Sequence, residues 1–331
     1  PELGGGRGLS STLGVAAFPS GEVYRVGDPT PTVIVGRLFL RQTIGLGGGA
    51  TRVEPAPNQL GEARERDALT ITIGKVATTD FVDSNPLSND PHRGFMSWGL
   101  WASAAYDYPA DTRGYTWGIA ADLCVDWWSL RAGAFLEPKA ANEMQMEWDA
   151  SKAHGVAGEL EVRYTLGGRA GAARLLAFLN TAHMGSYDQA LQDSPSAPDV
   201  TATRAFGRTK AGFAASANQD LGSGLGVLLR VSWSDGRNET WAFTELDRAL
   251  AAAAARSRAR AAAVRPRSRR PRAERRSRSS EPGRAGLRSG APRRARERAP
   301  RGSAPRGSRR RRRWGPSARD PPGGAPAAAA A

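Results

Sequence analysis

An all-β fold, the wall of a transmembrane antiparallel β-barrel, is what residues 33–248 predict, and three observations carry that reading. Apolar and polar residues alternate with a period of two in one short run after another. Gly-, Pro- and Asp-bearing stretches punctuate the runs, alternately short and long. The charged side chains of the runs share one face with other polar residues, and Leu, Ile, Val and Trp take the opposite face.

Residues 1–32 are rich in Gly and Pro and support at most one weak strand. The first clear strand is 33–46, where Leu38, Leu40, Ile44 and Leu46 oppose Arg37, Arg41 and Thr43. A polar loop is expected over 47–66. Residues 69–76 repeat the device, Leu69, Ile71 and Ile73 against Thr70 and Thr72. After an Asp/Asn/Pro-rich connection, a Trp-rich strand is expected over 95–105 and a turn over 108–111. In the next strand, 114–123, Tyr115, Trp117, Ile119, Ala121 and Leu123 share a face. Strand 128–136 turns Trp128, Leu130 and Leu136 away from Ser129 and Arg131. A mixed polar loop fills 138–155. The sharpest alternation is 159–166, with Leu160, Val162, Tyr164 and Leu166 against Glu159, Glu161, Arg163 and Thr165; the Gly-rich turn after it makes a hairpin with 174–181. Strands near 211–218 and over 225–235 follow, and 241–246 is the last candidate.

These are nine or ten strands of eight to twelve residues. A tilted strand needs roughly 9–11 residues to cross a bilayer core. A soluble sandwich shows the same period of two, so periodicity does not separate the two folds. The faces do. A charged face in a membrane barrel must point to the lumen, because lipid cannot solvate it.

Composition bounds the rest. The 331 residues carry a net charge of +15, but residues 249–331 hold 25 arginines against four acids, while the preceding part has 22 basic and 28 acidic residues. The body is therefore mildly acidic, and the strongly basic average says nothing about its work. One cysteine, Cys124, excludes an internal disulfide and a Cys-rich metal site. His92, His154 and His183 lack ligand spacing, so no metal and no other cofactor is expected. No apolar run reaches eighteen residues, which excludes a transmembrane helix. The opening PELGGG shows no secretory leader, which is read as removed or lost.

Several strings look familiar: FLRQTIGLGG (39–48), TIGKVATTDFVDSNPLSNDPHRGFMSW (72–98), YDYPADTRGYTWG (106–118), ELEVRYTLGGRAGAARLLAFLNTAHMGSY (159–187), PDVTATR (198–204) and SWSDGRNETWAFTELDR (232–248). Together, in this order, they resemble the OprB-type carbohydrate-selective porins. The resemblance implies a porin-type barrel of about sixteen strands in the outer membrane of Gram-negative bacteria, through which sugars diffuse into the periplasm. It also implies mono- or small oligosaccharides and outer-membrane lipid as partners, homo-oligomers as an option, no nucleic acid for the body and no catalysis. The chain departs from the pattern at both ends, so the barrel expected here is incomplete.

Residues 249–331 are drawn from Ala, Arg, Pro, Gly and Ser at 75 of 83 positions. Such a tail is expected to be disordered apart from a short helix over 249–263. The leading reading is a GC-rich gene translated out of frame; a basic segment that binds nucleic acid or anionic lipid is the alternative. A secreted, soluble polysaccharide-binding β-sandwich is the third reading of the whole chain. Open strand edges are costly in lipid, so the chain is expected not to form a working pore on its own.

A sugar channel needs hydrogen-bonding groups and flat apolar surfaces rather than a catalyst. The candidates for lumen contacts are Arg37, Arg41, Arg131, Glu159, Glu161, Arg163 and Arg230; bracing of the barrel interior is the alternative role for each. Asp80, Asp83, Asn85, Asn89 and Asp90 are candidates for a constriction loop, with turn-forming Asx chemistry as the plainer reading. Trp98, Trp101, Tyr115, Trp117 and Trp128, with Tyr106, Tyr108 and Trp127, are candidates for interfacial girdles or for stacking on sugar rings.

Overall fold

A computed structural model describes residues 2–4, 32–55, 59–88, 95, 97–242 and 246–256. The chain divides into a unit of residues 1–266 and a unit of residues 267–331, and every described residue belongs to the first. A small pair comes first, β1 (Glu2–Gly4) antiparallel to β2 (Thr32–Ile34). Nine strands then form one sheet: β3 (Leu38–Val53), β4 (Glu62–Val76), β5 (Thr116–Val125), β6 (Trp128–Leu136), β7 (His154–Leu166), β8 (Arg169–Met184), β9 (Ala205–Gly222), β10 (Leu225–Ser234) and β11 (Arg248–Arg256). Each pairs antiparallel with the next, an up-and-down order with β3 and β11 at its two edges among the described residues. The fold is an all-β, up-and-down antiparallel wall, and among the described residues it is not closed into a ring.

The register explains why alternation was so legible. One row of neighbours crosses all nine strands as Ile44, Leu69, Leu123, Leu130, Leu160, Leu175, Ala215, Val231 and Leu250. All of them lie on the outer face, where Leu160 is 43% and Leu175 56% exposed. The adjacent inner-face row reads Thr43, Thr70, Asp122, Arg131, Glu159, Leu176, Ala214, Ser232 and Ala249. One-residue slips would exchange these faces, so the pattern locks the register.

The connections divide by end. Tight turns at residues 126–127, 167–168 and 223–224 join strands at one end, with residues 54–61 beside them. Residues 77–115, 137–153, 185–204 and 235–247 join them at the other.

Four sequence expectations are corrected. The loop expected over 47–66 is mostly strand, because β3 and β4 run on as a hairpin past two bulges beside Gly47, whose φ of +107° few other residues tolerate. The Trp-rich stretch 95–105 is no strand. Its centre is a helical turn, Trp98–Trp101, since β4 and β5 pair directly and leave no edge for it to join. In the last candidate strand, 241–246, the described residues Trp241, Ala242 and Leu246 lie in no strand, and Trp241 is fully buried instead. The helix expected over 249–263 is a strand as far as Arg256, because pairing with β10 outweighs the helix preference of alanine. Residues 257–331, the rest of the expected disordered tail, lie outside the described residues.

The core lies on the inner face. Val82, Ala104, Tyr106, Tyr108 and Ala110 from the 77–115 connection pack on Ala157 of β7, Leu176 and Phe178 of β8 and Ala214 of β9, with Ala249 of β11 alongside. Val76, Ala120 and Phe135 form a second cluster, with Phe39 and Phe81 against it. One connection thus touches strands from β3 to β11, and the wall wraps around it.

Candidate functional site

β5, β6, β7, β8 and β10 each deliver a charge to the inner face, because alternate residues along a strand face the same way, and β9 adds the amide of Asn218. Arg131 of β6 meets Glu159 of β7 at 2.8 Å and Glu161 at 3.5 Å, with Asp122 of β5 3.4 Å from its Nε. Glu161 also accepts from Arg163 at 2.7 Å and from Arg174 of β8 at 2.7 Å. Arg163 reaches Ser129 Oγ at 2.7 Å, and Arg174 reaches Asn218 Oδ1 of β9 at 2.8 Å. On β10, Arg230 donates to Asp83 at 2.5 Å. Four arginines therefore face four carboxylates, Asp83, Asp122, Glu159 and Glu161, in an alternating band. Such a band holds the long side chains outstretched and leaves little net field along the face.

The inward connection closes over this band. Asp83 N donates to Glu159 Oε2 at 2.7 Å, and Asn85 Nδ2 reaches Asn218 Oδ1 at 3.4 Å. At its start, Asp80 takes Arg37 in a two-point pair, 2.7 and 2.9 Å, and Arg37 also lies over the Tyr115 ring, 5.2 Å from its centre. Arg41 donates to Thr72 Oγ1 and Gln59 Oε1 and covers the Phe39 ring at 4.8 Å. Between this edge of the wall and the connection lies a cavity of about 310 Å³, bordered by Arg37, Phe39, Arg41, Asp80, Phe81 and Trp101. Its lining offers guanidinium donors, a carboxylate and aromatic faces, the combination that suits a polyhydroxylated ring.

The structure sorts the candidates by place. Arg131, Glu159, Glu161 and Arg163 stand together in the band, and Arg37 and Arg41 border the cavity. Arg230 is 2% exposed, with its guanidinium taken up by Asp83, Ser88 and Ser103, and it presents no open face to a solute. Asp80, Asp83 and Asn85 all lie in the inward connection; Asn85 Oδ1 accepts from Leu87 N, an Asx turn. Asn89 and Asp90 lie outside the described residues, as does the side chain of Trp98. No group of three or more metal-type ligands occurs among the described residues.

The aromatic residues divide. Tyr106, Tyr108 and Tyr115 are buried residues of the connection itself, with Tyr106 5.0 Å from Phe178 of β8. Trp101 borders the cavity. Trp117 pairs with Trp148 near the long-connection end, and Trp127 and Trp128 stand at the turn end. Arg174 and Asp122 belong to the band and were missed. Arg174 was within reach, since a two-residue turn at 167–168 sets it opposite Glu161.

The sequence profile of the carbohydrate-selective porin OprB family matches residues 1–252. No curated protein matches. Among solved structures, OprB of Pseudomonas putida at high pH aligns with a TM-score of 0.44 and 14% identity, over 56% of this chain and 45% of that one. The chain thus spans less than half the length of that porin.

Proposed function

Because the chain belongs to the OprB family of carbohydrate-selective porins, we propose that its wall lines a passive channel through which neutral sugars cross the outer membrane into the periplasm. Proteins of this family are channels rather than enzymes. The observation that carries the reading is the pairing of two opposite faces on one sheet. The outer row from Ile44 to Leu250 is apolar from strand to strand and has no partner element among the described residues, as a lipid-facing surface requires. The inner face carries the balanced charge band and the cavity with Trp101. Balanced charge disfavours neither sign of ion strongly and suits solutes without charge. Aromatic residues at both ends of the outer face, Trp117 with Trp148 and Trp127 with Trp128, fit interfacial girdles.

The test is a titration of the full chain, folded in detergent, with glucose and with gluconate while tryptophan fluorescence is followed. A response to glucose, absent with gluconate and lost in Trp101→Phe, is expected. No response to any neutral sugar overturns the reading. Liposome swelling then addresses the wall. In our reading the edges β3 and β11 must be paired before it conducts, so sugar binding without swelling is the outcome for an incomplete barrel.

A further inference from the structure

We infer that the Asp83–Arg230 pair is a latch that holds the inward connection against the wall and thereby sets how large a sugar the cavity admits. Its functional half rests on the sugar-channel reading; its structural half does not.

The connection reaches the wall through several polar ties, and Asp83 is the one on which three elements converge. Its carboxylate accepts from Arg230 of β10 at 2.5 Å and, in the returning limb of the connection, from Ser103 N at 2.5 Å and Ser103 Oγ at 2.7 Å. Its backbone N–H donates to Glu159 of β7. Arg230 answers with further bonds to Asp83 O, Ser88 Oγ and Ser103 Oγ. A single residue therefore bridges β7, β10 and both limbs of the connection. Of the other ion pairs between connection and wall, Asp80 with Arg37 has side chains 31% and 24% exposed, so water competes for it, and Lys75 of β4 stands 3.7 Å from Asp111, longer than the 2.5 Å of Asp83 with Arg230.

Backbone geometry points the same way. Four non-glycine residues among those described have φ above zero: Asp83, Asp126, Asn142 and Ser223. Asp126 and Ser223 are exposed turn residues and Asn142 is half-buried, whereas Asp83 is buried with φ +61°. A left-handed conformation at a buried Asp persists where its surroundings hold it there.

The consequence follows from burial. Removing the Asp83 carboxylate leaves the Arg230 guanidinium inside the protein without a counter-charge. β10 cannot move it, because both of its neighbours are paired along its length. Water reaches the cation when the connection lifts. Asp83 and Ser84 also border the cavity, so lifting enlarges it.

Hydrogen exchange of the full chain in detergent tests the latch, with the Trp101 response to glucose and to a linear trisaccharide as the second readout. Asp83→Ala and Arg230→Ala are expected to speed exchange at 78–88 and 101–111 while β7 and β8 amides stay protected. The Trp101 response should extend to the trisaccharide. Arg230→Lys, which keeps the charge but loses the forked geometry, should fall between. Unchanged exchange at 78–88 in Asp83→Ala overturns the latch. If the alanine variants do not fold, Asp83→Asn decides, since Asn accepts the left-handed backbone and keeps the side-chain shape while it loses the charge and one of the two acceptor oxygens: faster exchange supports the latch, wild-type exchange sinks it. Faster exchange in a protein whose wild type answers no sugar keeps the latch and discards the channel reading.

Discussion

Glu137 shows how a single side chain can set the pH response of this protein. It lies one residue past β6, fully buried, and its two carboxyl oxygens have no hydrogen-bond partner among the described residues. Burial first, and then the Asp107 carboxylate beside it, push its pKa well above the usual carboxylate range. A carboxyl whose folded pKa is raised favours the folded state while protonated in both states. Between its unfolded and its folded pKa the unfolded chain gives up the proton first, so stability falls as pH rises through that window, by at most about 1.4 kcal/mol per pH unit. Glu137→Gln removes the charge and keeps the shape. Its denaturant midpoint is expected to exceed that of wild type at pH 8 and to lose this downward slope; equal midpoints across pH 5–9 would falsify the assignment. Local alternation sets Glu137 with Ser129 and Arg131 on the polar face of its run, but its lack of a partner is a property of the distant residues around it.

Elements are where the two faces acquire opposite tolerances. Leu160 on β7 is 43% exposed, and on a soluble protein Leu160→Arg would cost within about 0.5 kcal/mol. Against lipid the same change costs roughly 2–4 kcal/mol near the bilayer midplane. Folding titrations in liposomes are expected to show the larger loss, and a neutral result there would favour the soluble sandwich. Strand positions were legible because the alternation of β6, β7 and β10 is local: Trp128–Leu136 is found where its pattern placed it. The ends were less so. β8 runs to Met184 and β9 from Ala205, past the stretches with clean alternation, because inner-facing Leu176, Phe178 and Ala214 are covered by the connection and need not be polar. Residues 95–105 misled for the same reason, since apolar residues inside a wrapped wall look like those of a strand.

The described part of the molecule is a sheet folded around its own longest connection. β11 contributes the last row of backbone pairs, and Ala249 packs against the central core. A chain cut after Arg256 keeps all of β3–β11 and is expected to keep its β-type circular dichroism. A chain cut after Asp247 loses β11, bares the edge of β10 and should melt earlier; identical melting of the two would show that β11 adds nothing. The charge band was visible in outline, since Arg131, Glu159, Glu161 and Arg163 were all placed on one face by spacing. Its assembly with Asp83 was not, for Asp83 and Arg230 are 147 residues apart and no period links them.

Sequence alone established the all-β class, the opposed apolar and charged faces and the order of most strands, because each of these follows from side chains two residues apart on one strand. Folding of 77–115 onto the inner face, withdrawal of Arg230 from solvent, burial of Tyr106 and Tyr108 and conversion of 248–256 into a strand were decided by tertiary structure. Each depends on which distant surface a segment meets. The free energy of burying a charge or an aromatic ring is set by that partner and not by the residue's neighbours in the chain.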